Sequence, residues 1–116
     1  MIESFLREAS VVDTETTHTD PQQAVIVELA VASYVGRWQV VDSLFGLNGS
    51  IPPEASAKNQ ISNRMLAGLP TFANSVLQSV DMIDLNRPWL VAHNAAYDRT
   101  VLAQNWRSAG ESELAD

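Results

Sequence analysis

The 116-residue sequence predicts an α/β fold, a mixed sheet flanked by helices, and three observations carry that prediction. Residues 25–35 and 38–47 are β-branched runs meeting at a Gly36-Arg37 turn. Two short apolar runs, 9–13 and 89–92, are separated by segments of helical length. Phe72, Val76, Leu77, Val80 and Ile83 recur at helical spacing, as one buried stripe requires. Strands and helices intermixed in this way imply layers of helix on sheet.

The elements follow in order. Residues 9–13 read as a strand running into an acid, and the polar stretch 14–23, with Pro21, as a loop. The two β-branched runs form an antiparallel hairpin, and Asn48-Gly49-Ser50 with Pro52-Pro53 breaks the chain. Ser62 caps a short helix that stops at Gly68, and Thr71 caps the helix carrying the Phe72 stripe. Residues 89–92 read as a short buried strand, and residues 95–106 as a helix with Val101 and Leu102 inward and Gly110 ending it. The tail from Glu111 to Asp116 is acidic and expected to fray. If the intervening helices form a crossover, the strand at 89–92 lies parallel to the first, and both deliver their carboxyl ends to one edge, where α/β folds bind ligands.

Length and composition narrow the class. The chain is one small domain, residues 1–116, with an ordinary apolar fraction of 46% and no cysteine, which excludes a disulfide framework and a thiolate metal site. No apolar run is long enough to span a bilayer and no secretory leader is evident, so no membrane partner and a cytoplasmic location are expected. The net charge of −7 by itself argues against a nucleic-acid partner. Carboxylates converging on divalent cations would invert the local field and reverse that argument.

Asp13 and Glu15 lie at i and i+2 where the first strand ends, so alternation puts both on one face. Adjacent carboxylates repel unless a proton or cation lies between them, and neither has a basic sequence neighbour. A solvated acidic turn is the bland alternative; a hard divalent ion such as Mg²⁺ is the functional one. Asp98 falls in the first turn of a predicted helix, where a carboxylate also simply favours the helix dipole. All three acids nevertheless map to the same sheet edge, and that convergence suits two-metal phosphoryl transfer.

At this point a family resemblance emerges. Val11-Val12-Asp13-Thr14-Glu15-Thr16-Thr17 resembles the first motif of the DEDD, or DnaQ-like, 3′→5′ exonuclease superfamily. Ile26-Val27-Glu28-Leu29-Ala30 resembles its following strand, and Pro70-Thr71-Phe72 the entry to its helix. Val91-Ala92-His93-Asn94-Ala95-Ala96-Tyr97-Asp98 resembles the second motif, with Tyr97 in place of phenylalanine. The resemblance implies a ribonuclease-H-like fold and two Mg²⁺ or Mn²⁺ ions hydrolysing a 3′-terminal phosphodiester of DNA or RNA. It makes Asp13, Glu15 and Asp98 the catalytic metal ligands, and Thr16, Thr17 and Asn94 contacts to the single-stranded 3′ end. His93 is expected to hold a structural hydrogen bond, and Glu28 to satisfy a local network.

Three departures qualify the resemblance. His18 stands where the family has glycine, and crowding of the 3′ end and phosphate binding both remain open for it. Asn59 takes a position where relatives carry histidine. The sequence also ends before a third motif, which supplies a general-base histidine and a fourth acid; His18 and His93 are its only histidines. The domain is therefore expected to be truncated on its C-terminal side, to expose apolar surface, and to have little activity alone. A polymerase or a second chain supplying the missing motif remains an open partner. The alternative function is a non-catalytic module binding metal or a nucleotide end, or one half of a split nuclease.

Overall fold

The computed structural model describes residues 2–83, 87 and 89–110, so the acidic tail lies outside the described residues. Nine labelled elements follow one another: α1 (Ile2–Glu8), β1 (Ala9–Thr16), β2 (Ile26–Tyr34), β3 (Trp38–Leu44), α2 (Pro53–Asn59), α3 (Asn63–Leu66), α4 (Val76–Met82), β4 (Trp89–Val91) and α5 (Ala95–Ser108). The sheet order is β3-β2-β1-β4. β2 pairs antiparallel with both β1 and β3, while β4 pairs parallel with β1, so the predicted mixed sheet and crossover are present.

One face of the sheet carries the larger core. Val12, Leu29 and Val31 meet Val101, Leu102 and Trp106 of α5, together with Phe45, Phe72 and Ile83. The second face carries a smaller cluster, in which Val27 meets Ile51, Ile61 and Leu66. An irregularity in the β1–β2 register explains how Val27 reaches that face. Glu15 opposes Glu28 but Thr16 opposes Ile26, so β2 holds one extra residue there. Such a bulge breaks strict alternation and turns the extra side chain across the sheet.

Local chemistry accounts for the helix starts. Ser62 Oγ accepts from Met65 N at 3.2 Å, so that predicted cap is present, whereas Thr71 Oγ1 accepts from Asn74 N at 3.2 Å ahead of a 3₁₀ turn and the N-cap of α4 is Ser75. The segment after Thr71 opens with a 3₁₀ turn over Ala73–Ser75 before α4 begins. Two helices escaped the sequence reading. α2 begins at Pro53, where Pro52-Pro53 predicts a chain break; proline is favoured in the first helical turn. α1 is only seven residues long, too short for its Ile2, Phe5 and Leu6 spacing to stand out. It is held by Arg87, whose guanidinium donates to the carbonyls of Leu6, Ala9 and Tyr34 at 3.0–3.1 Å.

Two packing expectations are corrected. Leu77 is not on the buried stripe but 70% exposed, because the 3₁₀ turn shifts the helical phase between Phe72 and Val76. β4 is not a buried strand: Trp89 is 55% exposed and Leu90 43%. It forms the sheet's edge with β1 as its neighbour, so its flanks reach solvent. Apolar exposure recurs on β3, at Trp38, Val40 and Val41.

One glycine is demanded by packing. Gly46 N donates to Pro70 O at 2.8 Å, and this seam joins the end of β3 to the start of the Phe72 segment. A Cβ at Gly46 would lie 2.1 Å from the Leu69 carbonyl oxygen.

Candidate active site

The carboxyl ends of β1 and β4 open together into a cleft of about 720 Å³. Its lining includes Asp13, Glu15, Thr16, Thr17 and Asn94, five of the six residues expected at the site. The sixth, Asp98, lies behind that surface and is 5% exposed.

Strand alternation explains the division. The registers Glu15–Glu28 and Asp13–Ala30–Asp42 place Asp13, Glu15, Glu28 and Asp42 on one face of the sheet. Thr14 points to the other face and is buried. From there its hydroxyl donates to Asp98 Oδ1 at 2.6 Å. Asp98 sits in the first turn of α5, where its backbone N–H bonds to Asn94 O at 3.0 Å.

The carboxyls feel one another. Burial raises the pKa of Glu15, and the charges of Asp13 and Asp98 raise it further while Lys58 opposes them. Burial also raises Asp98; the Thr14 hydrogen bond counters this and the charge of Asp13 adds to it. Glu28 is pushed up to about 7, first by burial and then by a side-chain hydrogen bond and charge from Asp42. Glu28 thus belongs to a local carboxyl network, as expected.

The donor set, carboxylate oxygen throughout, fits a hard divalent cation, and mutual repulsion is what such a cation relieves. Among the described residues, however, no three His, Asp or Glu side chains gather closely enough to hold one ion. Asp98 has one carboxylate oxygen engaged by the Thr14 hydroxyl.

The loop after β1 is fastened by side chains. Tyr97 Oη donates to His18 O at 2.7 Å and lies 2.6 Å from Thr16 Oγ1. Thr16 Oγ1 also donates to His18 O at 2.9 Å. Thr17 Oγ1 accepts from Val25 N at 3.0 Å and lies 2.7 Å from His18 Nδ1. Asn59, at the position where relatives have histidine, donates from Nδ2 to Thr16 O at 3.4 Å and lines the cleft. His93 is exposed on the cleft wall, and its charge lowers the pKa of Asp98.

Asn105 is a supporting residue that the sequence did not reveal. Its Nδ2 donates to Ala24 O at 2.9 Å and Val101 O at 2.8 Å, and its Oδ1 accepts from Ile26 N at 3.2 Å. The buried amide thereby ties α5 to the entrance of β2. A polar residue one helical turn beyond Val101 was the available signal.

A four-stranded mixed sheet of this order, flanked by helices and carrying acids at the carboxyl edge of β1, defines a ribonuclease-H-like exonuclease fold. The family model described as exonuclease (RNase_T) matches residues 10–115, and the chain belongs to that family. The chain is similar to exonuclease X, solved in complex with 5′ overhanging duplex DNA. That match has 30% identity and a TM-score of 0.64, over 81% of this chain and 53% of that one. It is also similar in fold to a moderately thermophilic exonuclease I from Methylocaldum szegediense (18% identity, TM-score 0.67, 84% of this chain and 23% of that one). The E. coli exonuclease I–single-stranded DNA complex in its metal-free form matches at 12% identity with a TM-score of 0.74, over 87% of this chain and 24% of that one. The chain thus spans about half the length of exonuclease X and about a quarter of exonuclease I. No curated protein matches it.

Proposed function

We propose that this chain is the amino-terminal part of a 3′→5′ exonuclease domain that binds a single-stranded 3′ end of nucleic acid and hydrolyses its terminal phosphodiester. The observation that carries the reading is the cleft at the carboxyl ends of β1 and β4, with Asp13 and Glu15 on its wall beside Thr16, Thr17 and Asn94. Membership of the exonuclease family supports it, as do DNA-bound structures among the similar exonucleases.

Asp13, Glu15 and Asp98 would hold divalent ions, Mg²⁺ or Mn²⁺, with Asp98 turning from Thr14 to do so. Such ions supply a polarised phosphoryl oxygen and a water acidic enough to attack at neutral pH. The chain's own residues bind and orient: Thr16 and Thr17 shape the wall against the terminal nucleotide, and Asn94 at the head of α5 holds the strand. The general-base histidine of the family's third motif has no counterpart in this reading. His18 and His93 both line the cleft, and without a third motif the chain alone is expected to release nucleotides slowly or not at all. A polymerase, or a second chain that supplies the remaining groups, is the protein partner this reading admits. In the described residues no helix is long and apolar enough to cross a membrane, and a cytoplasmic setting is the reading we adopt.

The absence of a three-ligand cluster among the described residues favours a second reading, a module that binds metal or a nucleotide end without cleaving. Calorimetric titration with Mn²⁺ and release of mononucleotides from a single strand labelled near its 3′ end test both. Mn²⁺ binding that Asp13→Ala weakens at least about tenfold, with circular dichroism unchanged, is expected. Unchanged affinity in that variant removes Asp13 from the site. Rapid Mg²⁺-dependent release by the chain alone refutes the expected low activity.

A further inference from the structure

We propose that His18 is a recognition residue for the 3′-terminal nucleotide, its imidazole Nε2 left for the ligand by a clamp of Thr16, Thr17 and Tyr97. The inference rests on the exonuclease reading and names a contact within the same cleft. His18 is exposed and lines the cleft together with Asp13 and Glu15.

The hydrogen-bond pattern engages one ring nitrogen and leaves the other. Thr17 Oγ1 accepts the Val25 N–H at 3.0 Å and lies 2.7 Å from His18 Nδ1, so Nδ1 is engaged within the wall and Nε2 is the ring nitrogen left for a ligand. Its natural complement is a ligand oxygen, a sugar hydroxyl or a phosphate.

The backbone beneath the ring is fixed as well. The His18 carbonyl has hydroxyls of Tyr97 and Thr16 at 2.7 and 2.9 Å, and those two oxygens lie 2.6 Å apart. Two hydroxyl hydrogens serve three close contacts, which ties the three groups together. Both ends of the residue are thereby held, and the ring is folded against Thr17. A side chain in place of glycine is accommodated as part of the wall and not as an obstruction. Tyr97 acts through His18 and is a positioning residue.

The test measures binding of one single-stranded oligonucleotide, linear or circularised, to the chain by fluorescence anisotropy in Ca²⁺. The wild-type chain is expected to prefer the linear strand, which has an end. His18→Gly should lower that preference about fivefold, the worth of one hydrogen bond, with affinity for the circle unchanged. His18→Gln, which keeps a hydrogen-bonding group, should restore part of it, and Tyr97→Phe should lower it about threefold. A misfolded variant loses both affinities together, which thermal denaturation reports separately. A glycine variant that keeps or increases the preference overturns the role of His18 and restores the crowding alternative. Wild-type chain that binds neither strand, or both alike, overturns the exonuclease reading itself.

Discussion

The hydroxyl of Thr14 donates a 2.6 Å hydrogen bond to the buried carboxylate of Asp98, joining the first and second motifs across 84 residues. The contact places the acid that starts α5 directly behind the strand that carries Asp13 and Glu15. It also partly offsets the cost of burying Asp98, whose pKa is raised by that burial and lowered by the bond.

Thr14→Val keeps the shape of the side chain and removes the donor. A hydrogen bond to a charged group contributes about 1.5–3 kcal/mol, so urea denaturation at neutral pH should show a loss of that order. Thr14→Ser should recover most of it. Loss below about 0.5 kcal/mol in the valine variant would show that Asp98 is satisfied by other means.

Glu28 gives the chain an unusual pH dependence. Its folded pKa of about 7 lies above the ordinary 4.5, so the folded chain holds that proton more tightly than the unfolded chain does. The stabilisation is complete below pH 4.5 and is lost as pH rises through about 7. Glu15 and Asp98 are raised too and act in the same direction. Glu28→Gln should therefore flatten the fall in stability across this window. It should also raise stability at pH 8 by roughly 1 kcal/mol, after allowance for solvent screening of a partly exposed group. Parallel stability–pH curves for the two proteins would contradict the assignment.

Gly46 has no room for a side chain, because the Leu69 carbonyl oxygen occupies the place of its Cβ. Gly46→Ala must open the seam to Pro70 and is expected to cost more than about 2 kcal/mol, read as a lowered urea midpoint. Gly49→Ala, where a Cβ meets nothing within 4 Å, serves as the control and should change stability little.

The sequence by itself determined much of this protein. β-branched runs on either side of Gly36-Arg37 specified the hairpin, because alternation and turn chemistry are local. Ser62 marked its helix for the same reason. The spacing within 11–17 and 91–98 carried the family, since a motif records which side chains a strand end and a helix start must present together. Tertiary structure decided what depends on neighbours. β4 looked buried by composition, yet its edge position leaves it exposed. Leu77 fitted a continuous helix and missed the core once a 3₁₀ turn shifted the phase. The sequence named Asp13, Glu15 and Asp98 as one acidic group. Only the fold showed how they are held: β1 turns Asp13 and Glu15 to one face, while Thr14 on the other donates to the buried Asp98.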